Sequence, residues 1–251
     1  GGAAIASGLG YCVTAVAGLF VFGRKERLLH FKKPVFRLRV LVNAASNGCS
    51  EMATALVTGI VTMMFNWTML TYVGEDGVAA VTIIMYVLMF ASSLYTGYSY
   101  GVAPMLSFYH GEQNREKLKK LVALSRKVIE VVSVITVAVS LGLTEPLVSV
   151  FARPEDPVYA LAVTGNRICT IALLFIGFNI FASGMFTALS NGVVSAVLAF
   201  SRSFVLMLAA MIVLPLLLGV NGIWLATPAA ELMALLLSAG MYWKYRKRYG
   251  Y

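Results

Sequence analysis

Three ionisable side chains lie inside long apolar stretches of the sequence, where such groups are costly and are therefore candidates for function. They are Glu51, Arg202 and Glu231. Glu51 lies about twelve residues into its apolar stretch, near the mid-depth of a membrane helix. A carboxylate that binds and releases a proton or a cation, as a cavity opens to each side, is the core of ion-coupled transport. Glu51 is therefore predicted to bind the coupling ion, and an interhelical hydrogen bond is its structural alternative.

Glu51 belongs to a polar stripe whose members recur every three or four residues. The stripe consists of Asn43, Asn47, Glu51, Thr54, Thr58, Thr62 and Asn66. This spacing places them along one face of a helix, and a polar face cannot meet lipid without cost. Asn47 and Thr54, which flank Glu51, are predicted to line a substrate cavity.

Two more polar faces with helical spacing suggest that several helices share one interior. The first comprises Tyr86, Met89, Ser93, Thr96, Tyr100, Ala103 and Ser107, and the second comprises Asn179, Ser183, Thr187 and Ser190. Ser93, Tyr100, Asn179 and Ser183 are the predicted cavity residues of these faces. For any single serine or threonine, packing or bonding to its own helix is the alternative. Gly97 and Gly101 have the spacing of a close helix contact.

The other two intramembrane charges are secondary candidates. Glu231 follows Pro228, and it is either functional or a structural group beside the backbone that the proline frees. Arg202 lies about nine residues into its segment, and its long side chain is expected to extend to the headgroups.

The sequence contains no pattern that predicts catalysis, a metal site or a bound cofactor. The cysteines Cys12, Cys49 and Cys169 are isolated within apolar sequence, where they are typical of small buried hydrophobic residues. No phosphate-binding lysine loop and no Ser-His-Asp set is present. The protein is therefore predicted not to be an enzyme, and the only small ligand expected at this point is the proton or cation that Glu51 would bind.

The amino-acid composition of the chain indicates which kind of secondary-structure element carries these residues. Of the 251 residues, 59% are hydrophobic and 12% are charged, against about 25% charged in soluble domains. A soluble enzyme and a disordered chain are both excluded, which leaves an all-α integral membrane protein of about seven helices. The predicted helical segments are 3–22, 40–73, 78–108, 117–151, 158–190, 193–218 and 222–243.

The positive charges predict one orientation for these segments. All but two of the 20 lysines and arginines lie in the 23–39 connection, at the start of the fourth segment, at Arg202 or in the tail, and the exceptions are Arg153 and Arg167. Basic residues concentrate on the cytoplasmic side, so the C-terminus is predicted to be cytoplasmic in a multi-pass plasma (inner) membrane protein. The net charge of +9 is thus explained without a nucleic-acid partner.

Four stretches of the chain resemble the multidrug and toxic compound extrusion (MATE) family. They are GYSYGVAPMLSFYHG at 97–111, GFNIFASGMFTALSNG at 177–192, SRS at 201–203 and GVNGIWLATPAAE at 219–231. The family has two lobes of six helices around a central cavity, and the chain resembles its helices six to twelve. The resemblance implies that 1–22 is the last helix of a missing N-terminal lobe, 23–39 a basic cytoplasmic linker, 40–243 a six-helix C-terminal lobe and 244–251 a basic cytoplasmic tail.

The resemblance also implies a function. Family members export cationic and other amphipathic compounds in exchange for H⁺ or Na⁺, so membrane lipid, small-molecule substrates and the missing lobe are the expected partners. The family often uses an acid on its seventh helix, which Glu51 matches, and an aspartate on its tenth helix, where Asn179 is the nearest polar residue here.

Two alternatives to multidrug efflux remain open at this point. A lipid-linked oligosaccharide flippase of related architecture would need cavity cations to meet phosphates, and only Arg202 qualifies. A free-standing lobe acting as a membrane interaction protein is favoured if the native chain begins near Gly1.

Overall fold

The structure is a computed structural model of the chain, and it describes residues 2–23 and 38–250. The side chains at positions 3, 4, 6, 7, 14, 22 and 39–55 lie outside the description. Every element in the described part is helical. The α-helices are α1 (Gly2–Gly23), α2 (Leu38–Tyr72), α3 (Glu75–Gly111), α4 (Arg115–Gly142), α5 (Thr144–Ser149), α6 (Pro157–Cys169), α7 (Leu173–Ala188), α8 (Gly192–Phe200), α9 (Met207–Leu218) and α10 (Val220–Tyr249).

Two of the predicted segments contain an irregular turn within a continuous rod. A 3₁₀ turn, Thr170–Ala172, joins α6 to α7, and a π-helical turn, Ser201–Leu206, joins α8 to α9. Each of the other five predicted segments corresponds mainly to one α-helix, and the fourth also takes in the short helix α5. Within the described residues, four stretches are long and apolar enough to cross a membrane: Glu75–Gly111, Pro157–Ala188, Gly192–Leu218 and Val220–Tyr249.

Local sequence explains where the helices begin and end. Asn114 caps α4 by accepting a hydrogen bond from the backbone N–H of Lys117 (3.1 Å), and Asn191 caps α8 in the same way. Pro157 starts α6, where its missing N–H is not needed. Gly219, at φ +58°, separates α9 from α10 with a backbone conformation that side chains disfavour.

The chain divides into two compact units, 1–50 and 51–251. The first unit contains α1 and the beginning of α2, and the described side chains of α1 are largely exposed. The second unit is a bundle with two apolar clusters. One surrounds Trp224 and Tyr95, and the other surrounds Phe186 and Leu118.

Glycines on the α6–α7 rod allow α3 to approach closely. A Cβ at Gly177 would lie 2.8 Å from the ring of Tyr95, and a Cβ at Gly184 would collide with the hydroxyl of Ser99. At Gly97 and Gly101, by contrast, no described atom lies within 4 Å of such a Cβ. The close contact is therefore made by glycines of the rod, whereas the sequence pattern on α3 predicted it at Gly97 and Gly101.

Candidate functional site

Four polar side chains from three helical rods form one hydrogen-bonded cluster inside the bundle. The Arg202 Nη1 donates to the Glu231 Oε1 (3.3 Å), and the Asn179 Nδ2 donates to the Glu231 Oε2 (2.8 Å). The Ser238 hydroxyl donates in turn to the Asn179 Oδ1 (3.1 Å). These four residues, Asn179, Arg202, Glu231 and Ser238, are called the ionic cluster below.

The cluster satisfies a carboxylate that would otherwise be expensive to bury. The exposed fraction is 6% for Glu231 and 2% for Asn179. A buried carboxylate needs both an opposite charge and hydrogen-bond donors, and each oxygen of Glu231 has one donor. The ion pair is a single contact rather than a two-point one, and the Arg202 side chain remains 26% exposed. Arg202 can therefore leave Glu231 at a smaller cost than a fully buried partner could.

The π-helical turn holds Arg202 in its place. The turn spans Ser201–Leu206 inside the α8–α9 rod, and such turns are rare insertions that occur frequently at functional sites. From the sequence, the Arg202 side chain was expected to extend to the lipid headgroups, and the structure differs from that expectation. The guanidinium instead pairs with Glu231, because an unpaired carboxylate within the bundle is a better partner than distant headgroups.

Pro228 lies inside the continuous helix α10 and removes one backbone hydrogen bond from it. A proline lacks the N–H that would bond the carbonyl four residues earlier, which is that of Trp224. The Cys169 Sγ donates to this Trp224 carbonyl (3.2 Å). The freed carbonyl is therefore bonded by Cys169, and the structural role considered for Glu231 at this backbone is not needed. The Glu231 carboxylate is bonded to Asn179 and Arg202 instead.

A second polar group lies one turn along α7 from Asn179. The hydroxyl of Ser195 on α8 lies 3.1 Å from that of Ser183 and 2.7 Å from that of Thr187. Sequence spacing indicated Ser183 and Thr187, but Ser195 lies on a short helix without a polar stripe and was missed. These hydroxyls bond to one another, so they join α7 to α8.

A third polar group was also missed, although Ser133, Thr136, Ser140 and Thr144 recur at helical spacing. The Ser140 hydroxyl lies 2.8 Å from that of Thr170, and the Asn166 Nδ2 donates to the Thr144 hydroxyl (3.1 Å). All four residues are buried. They connect α4 and α5 to the α6–α7 rod, and a group so enclosed is suited to packing.

The remaining predicted cavity residues do not join the ionic cluster. Ser93 is exposed and its hydroxyl donates to the Met89 carbonyl (2.8 Å), which is the back-bonding alternative. Tyr100 is 75% exposed on the same face of α3. Glu51, Asn47 and Thr54 lie outside the described side chains, so their predicted roles stay predictions.

The cluster combines one carboxylate and one guanidinium with two neutral polar side chains. Glu231 supplies the only negative charge in the cluster, and Asn179 and Ser238 hold its geometry. In the described residues no three histidine, cysteine, aspartate or glutamate side chains are grouped as metal ligands. A proton or a monovalent cation is the ligand that one buried carboxylate can exchange with its guanidinium partner.

A comparison with known proteins finds one family model and several solved structures that match the chain. A family model described as MatE matches residues 51–213. An outward-facing multidrug resistance MATE family transporter of the MOP superfamily is 20% identical, with a TM-score of 0.77 over 96% of this chain and 54% of that one. Its inward-facing counterpart is 20% identical, with a TM-score of 0.79 over 92% and 53%. These matches confirm the resemblance indicated by the four sequence stretches.

A further match is a MOP superfamily transporter from Pyrococcus furiosus. It is 18% identical, with a TM-score of 0.77 over 96% of this chain and 54% of that one, and a reversed polarity of the binding pocket is described for it. The chain thus spans about half the length of these solved structures, and the likeness shows the fold. No curated protein matches the chain.

Proposed function

The chain belongs to the MatE family, and on that premise we propose that it works as one lobe of a cation-coupled exporter. The exporter moves amphipathic, often cationic compounds across the membrane in exchange for H⁺ or Na⁺. A second, N-terminal lobe completes the cavity, and rocking of one lobe against the other exposes the substrate alternately to the two sides. The proposed partners are membrane lipid, this second lobe and small-molecule substrates.

One observation carries the proposal: the buried carboxylate of Glu231 is held by contacts that can be exchanged. Glu231 is 6% exposed, yet a single contact of 3.3 Å joins it to Arg202. An ionisable group inside a membrane bundle is a functional candidate, and here its partner lies on a different rod. Neutralising Glu231 releases Arg202 and therefore alters the packing between α10 and the π-helical turn.

This exchange supplies a simple mechanism for antiport. When a cation neutralises Glu231, the positive charge of Arg202 is no longer compensated, and a cationic compound near Arg202 is repelled. When the cation leaves, the ion pair re-forms and the repulsion ends. The two ligands are thus bound alternately, as antiport requires. Glu51 is proposed as the second coupling residue because it carries the acid that the family resemblance places on its seventh helix.

The cluster favours H⁺ over Na⁺ as the ion that Glu231 exchanges. A proton needs one carboxylate lone pair, whereas hard metal cations are bound by several oxygen ligands at once. Here the Asn179 Oδ1 already accepts from Ser238, and both Glu231 oxygens have donors. The oligosaccharide-flippase alternative fits less well, because the charge of Arg202 is compensated by Glu231 instead of being available to phosphates.

The test is efflux of a fluorescent cation from everted membrane vesicles that contain the full-length protein, energised with either a proton or a sodium gradient. Glu51→Gln and Glu231→Gln are each expected to abolish coupled efflux while the protein remains in the membrane. Glu145→Gln is the matched control, because Glu145 pairs with Arg167 at an exposed position. Unchanged efflux in both test variants rejects the coupling roles, and a wild type that moves no amphipathic cation rejects the proposed function.

A further inference from the structure

A groove on the bundle surface lies between α7 and α10, apart from the ionic cluster's charges. Its volume is about 450 Å³, within the range of roughly 300–1,000 Å³ of small-molecule clefts. Its walls are mostly apolar, and the apolar wall residues are Phe178, Phe181, Ala182, Met185, Leu235 and Ala239. We call it the α7–α10 groove, and we propose that it binds an anionic phospholipid, with an acyl chain in the groove and the phosphate on Arg126.

The walls of the groove suit a hydrocarbon chain. Both helices belong to stretches that are long and apolar enough to cross a membrane. Ser238 lies at the base, but its hydroxyl is already bonded to Asn179, so the base presents no donor to a polar ligand. Lipid tails are as apolar as these walls, so the groove accepts an acyl chain, and the selectivity must come from its charged edge.

The charge at the edge of the groove determines which amphiphile fits. Arg126 of α4 is exposed, and its guanidinium lies over the Tyr242 ring, 5.5 Å from the ring centre. Within the described residues Arg126 belongs to no ion pair, and Glu130, one turn further along α4, is not paired with it either. An uncompensated guanidinium beside an apolar groove attracts a phosphate and repels a cationic headgroup.

The neighbouring side chains place the edge of the groove at the membrane–water interface. Trp243 is 78% exposed there, and tryptophan and tyrosine are enriched at this depth. The cation–aromatic contacts of the described residues are Lys117 with Tyr109, Arg126 with Tyr242, Lys244 with Tyr245 and Arg248 with Tyr249. Three of them lie at the start of α4 or the end of α10, and Arg126 lies about three turns into α4. Basic residues next to a membrane surface are attracted to anionic lipids.

The experiment measures lipid retained by the full-length protein, without transport. The protein is delipidated, exposed to phosphatidylglycerol and phosphatidylcholine of the same chain length, and examined by native mass spectrometry. Wild type is expected to keep phosphatidylglycerol preferentially. Arg126→Gln is expected to reduce that preference about fivefold, the contribution of one basic residue near a membrane surface. Lys127→Gln makes the same charge change on the next residue of α4, outside the groove, and is expected to leave the preference unchanged.

Two further variants fill the groove from opposite walls. Ala182→Trp on α7 and Ala239→Trp on α10 are each expected to abolish retention of both lipids, and Ala239 is exposed, so the second change leaves the core intact. Retention that survives both variants overturns the proposal, as does an equal effect of Arg126→Gln and Lys127→Gln. The proposal is also overturned if both tryptophan variants lose a bound fluorescent cation while they still retain lipid. That result would make the groove a substrate site.

Discussion

At the scale of single residues, the ionic cluster depends on Asn179 as a bridge. Its amide nitrogen donates both to the Glu231 carboxylate and to the Glu231 backbone carbonyl (2.9 Å), and its amide oxygen accepts from Ser238. The Asn179 side chain thereby holds the Glu231 carboxylate in a fixed position relative to α10. Among the described residues, Arg202 in contrast has its polar contact with Glu231 alone.

The first prediction concerns the strength of that charge pair. Glu231→Gln and Arg202→Gln are each expected to lower the free energy of unfolding in detergent by about 1–3 kcal/mol, because each leaves a charged or polar partner buried without compensation. The double variant is expected to lose less than the sum, with a coupling of about 1–2 kcal/mol. The exposed pair Arg167–Glu145 is the control and should couple by about 0–1 kcal/mol. Additive effects at Arg202 and Glu231 would show that the pair is not formed.

The second prediction compares two buried serines on α4. Within the part of the chain that the structure describes, the hydroxyl of Ser133 has no hydrogen-bond partner, whereas that of Ser140 is bonded to Thr170. Ser133→Ala is therefore expected to raise the free energy of unfolding by about 1 kcal/mol, because an unsatisfied buried hydroxyl is removed. Ser140→Ala should lower it by about 1 kcal/mol, since Thr170 then loses its partner. Shifts of the same sign in the two variants, measured by denaturation in one detergent, would contradict this.

Sequence reasoning identified most members of the ionic cluster but not their pairing. Glu231 and Arg202 are evident because charges are rare in apolar segments, and Asn179 follows from its spacing with Ser183. The contact between Arg202 and Glu231 joins positions 29 residues apart, and it depends on how two rods pack, which no local pattern encodes. Ser238 was missed because a lone serine on an apolar helix has no distinguishing signal.

At the scale of elements, the ends of the helices were predictable and their internal irregularities were not. Asn114 and Asn191 mark helix starts by accepting hydrogen bonds from backbone N–H groups. Pro157 marks a helix start through its fixed φ and its missing N–H. The π-helical turn at Ser201–Leu206 and the 3₁₀ turn at Thr170–Ala172 contain neither proline nor glycine. Tertiary packing selects them, so the sequence predicted two uninterrupted segments there.

The third prediction tests the close approach of α3 to α7. Gly177→Ala is expected to lower the free energy of unfolding by about 1–3 kcal/mol, the usual effect of overpacking. Its Cβ would meet both the Tyr95 ring and Ile129 (2.9 Å). Gly97→Ala, on the exposed face of α3, should instead raise stability by about 0.5–1 kcal/mol through helix propensity alone. If thermal unfolding shows the two variants to be equivalent, α3 and α7 are not packed as described.

At the scale of the whole second unit, charge is segregated between the two ends of the bundle. Asp76 and Asp156 line one shared cleft, beside the turns that precede α3 and α6. At the opposite end, the His110 ring packs edge-on against Tyr249, 5.5 Å between ring centres, which brings the end of α3 to the end of α10. The basic start of α4 and the basic end of α10 therefore lie at the same end of the bundle, as the positive-inside pattern of the sequence predicts.

The fourth prediction assigns these ends to the two sides of the membrane. Single cysteines are introduced as Glu155→Cys at the acidic end and Lys247→Cys at the basic end, with Cys12 and Cys49 replaced by alanine. Cys169 is retained because its thiol is buried and bonded to Trp224. A membrane-impermeant maleimide is expected to label Glu155→Cys in intact cells and Lys247→Cys only after permeabilisation, since basic residues concentrate on the cytoplasmic side.

The parent with Cys169 alone is the control and should remain unlabelled under both conditions. Labelling of Lys247→Cys in intact cells would reverse the orientation, and labelling of both variants would mean that the chain inserts both ways. The orientation also decides which leaflet meets the α7–α10 groove, because Arg126 and Trp243 lie at the basic end of the bundle. A cytoplasmic basic end places that groove against the leaflet whose anionic lipids Arg126 is suited to bind.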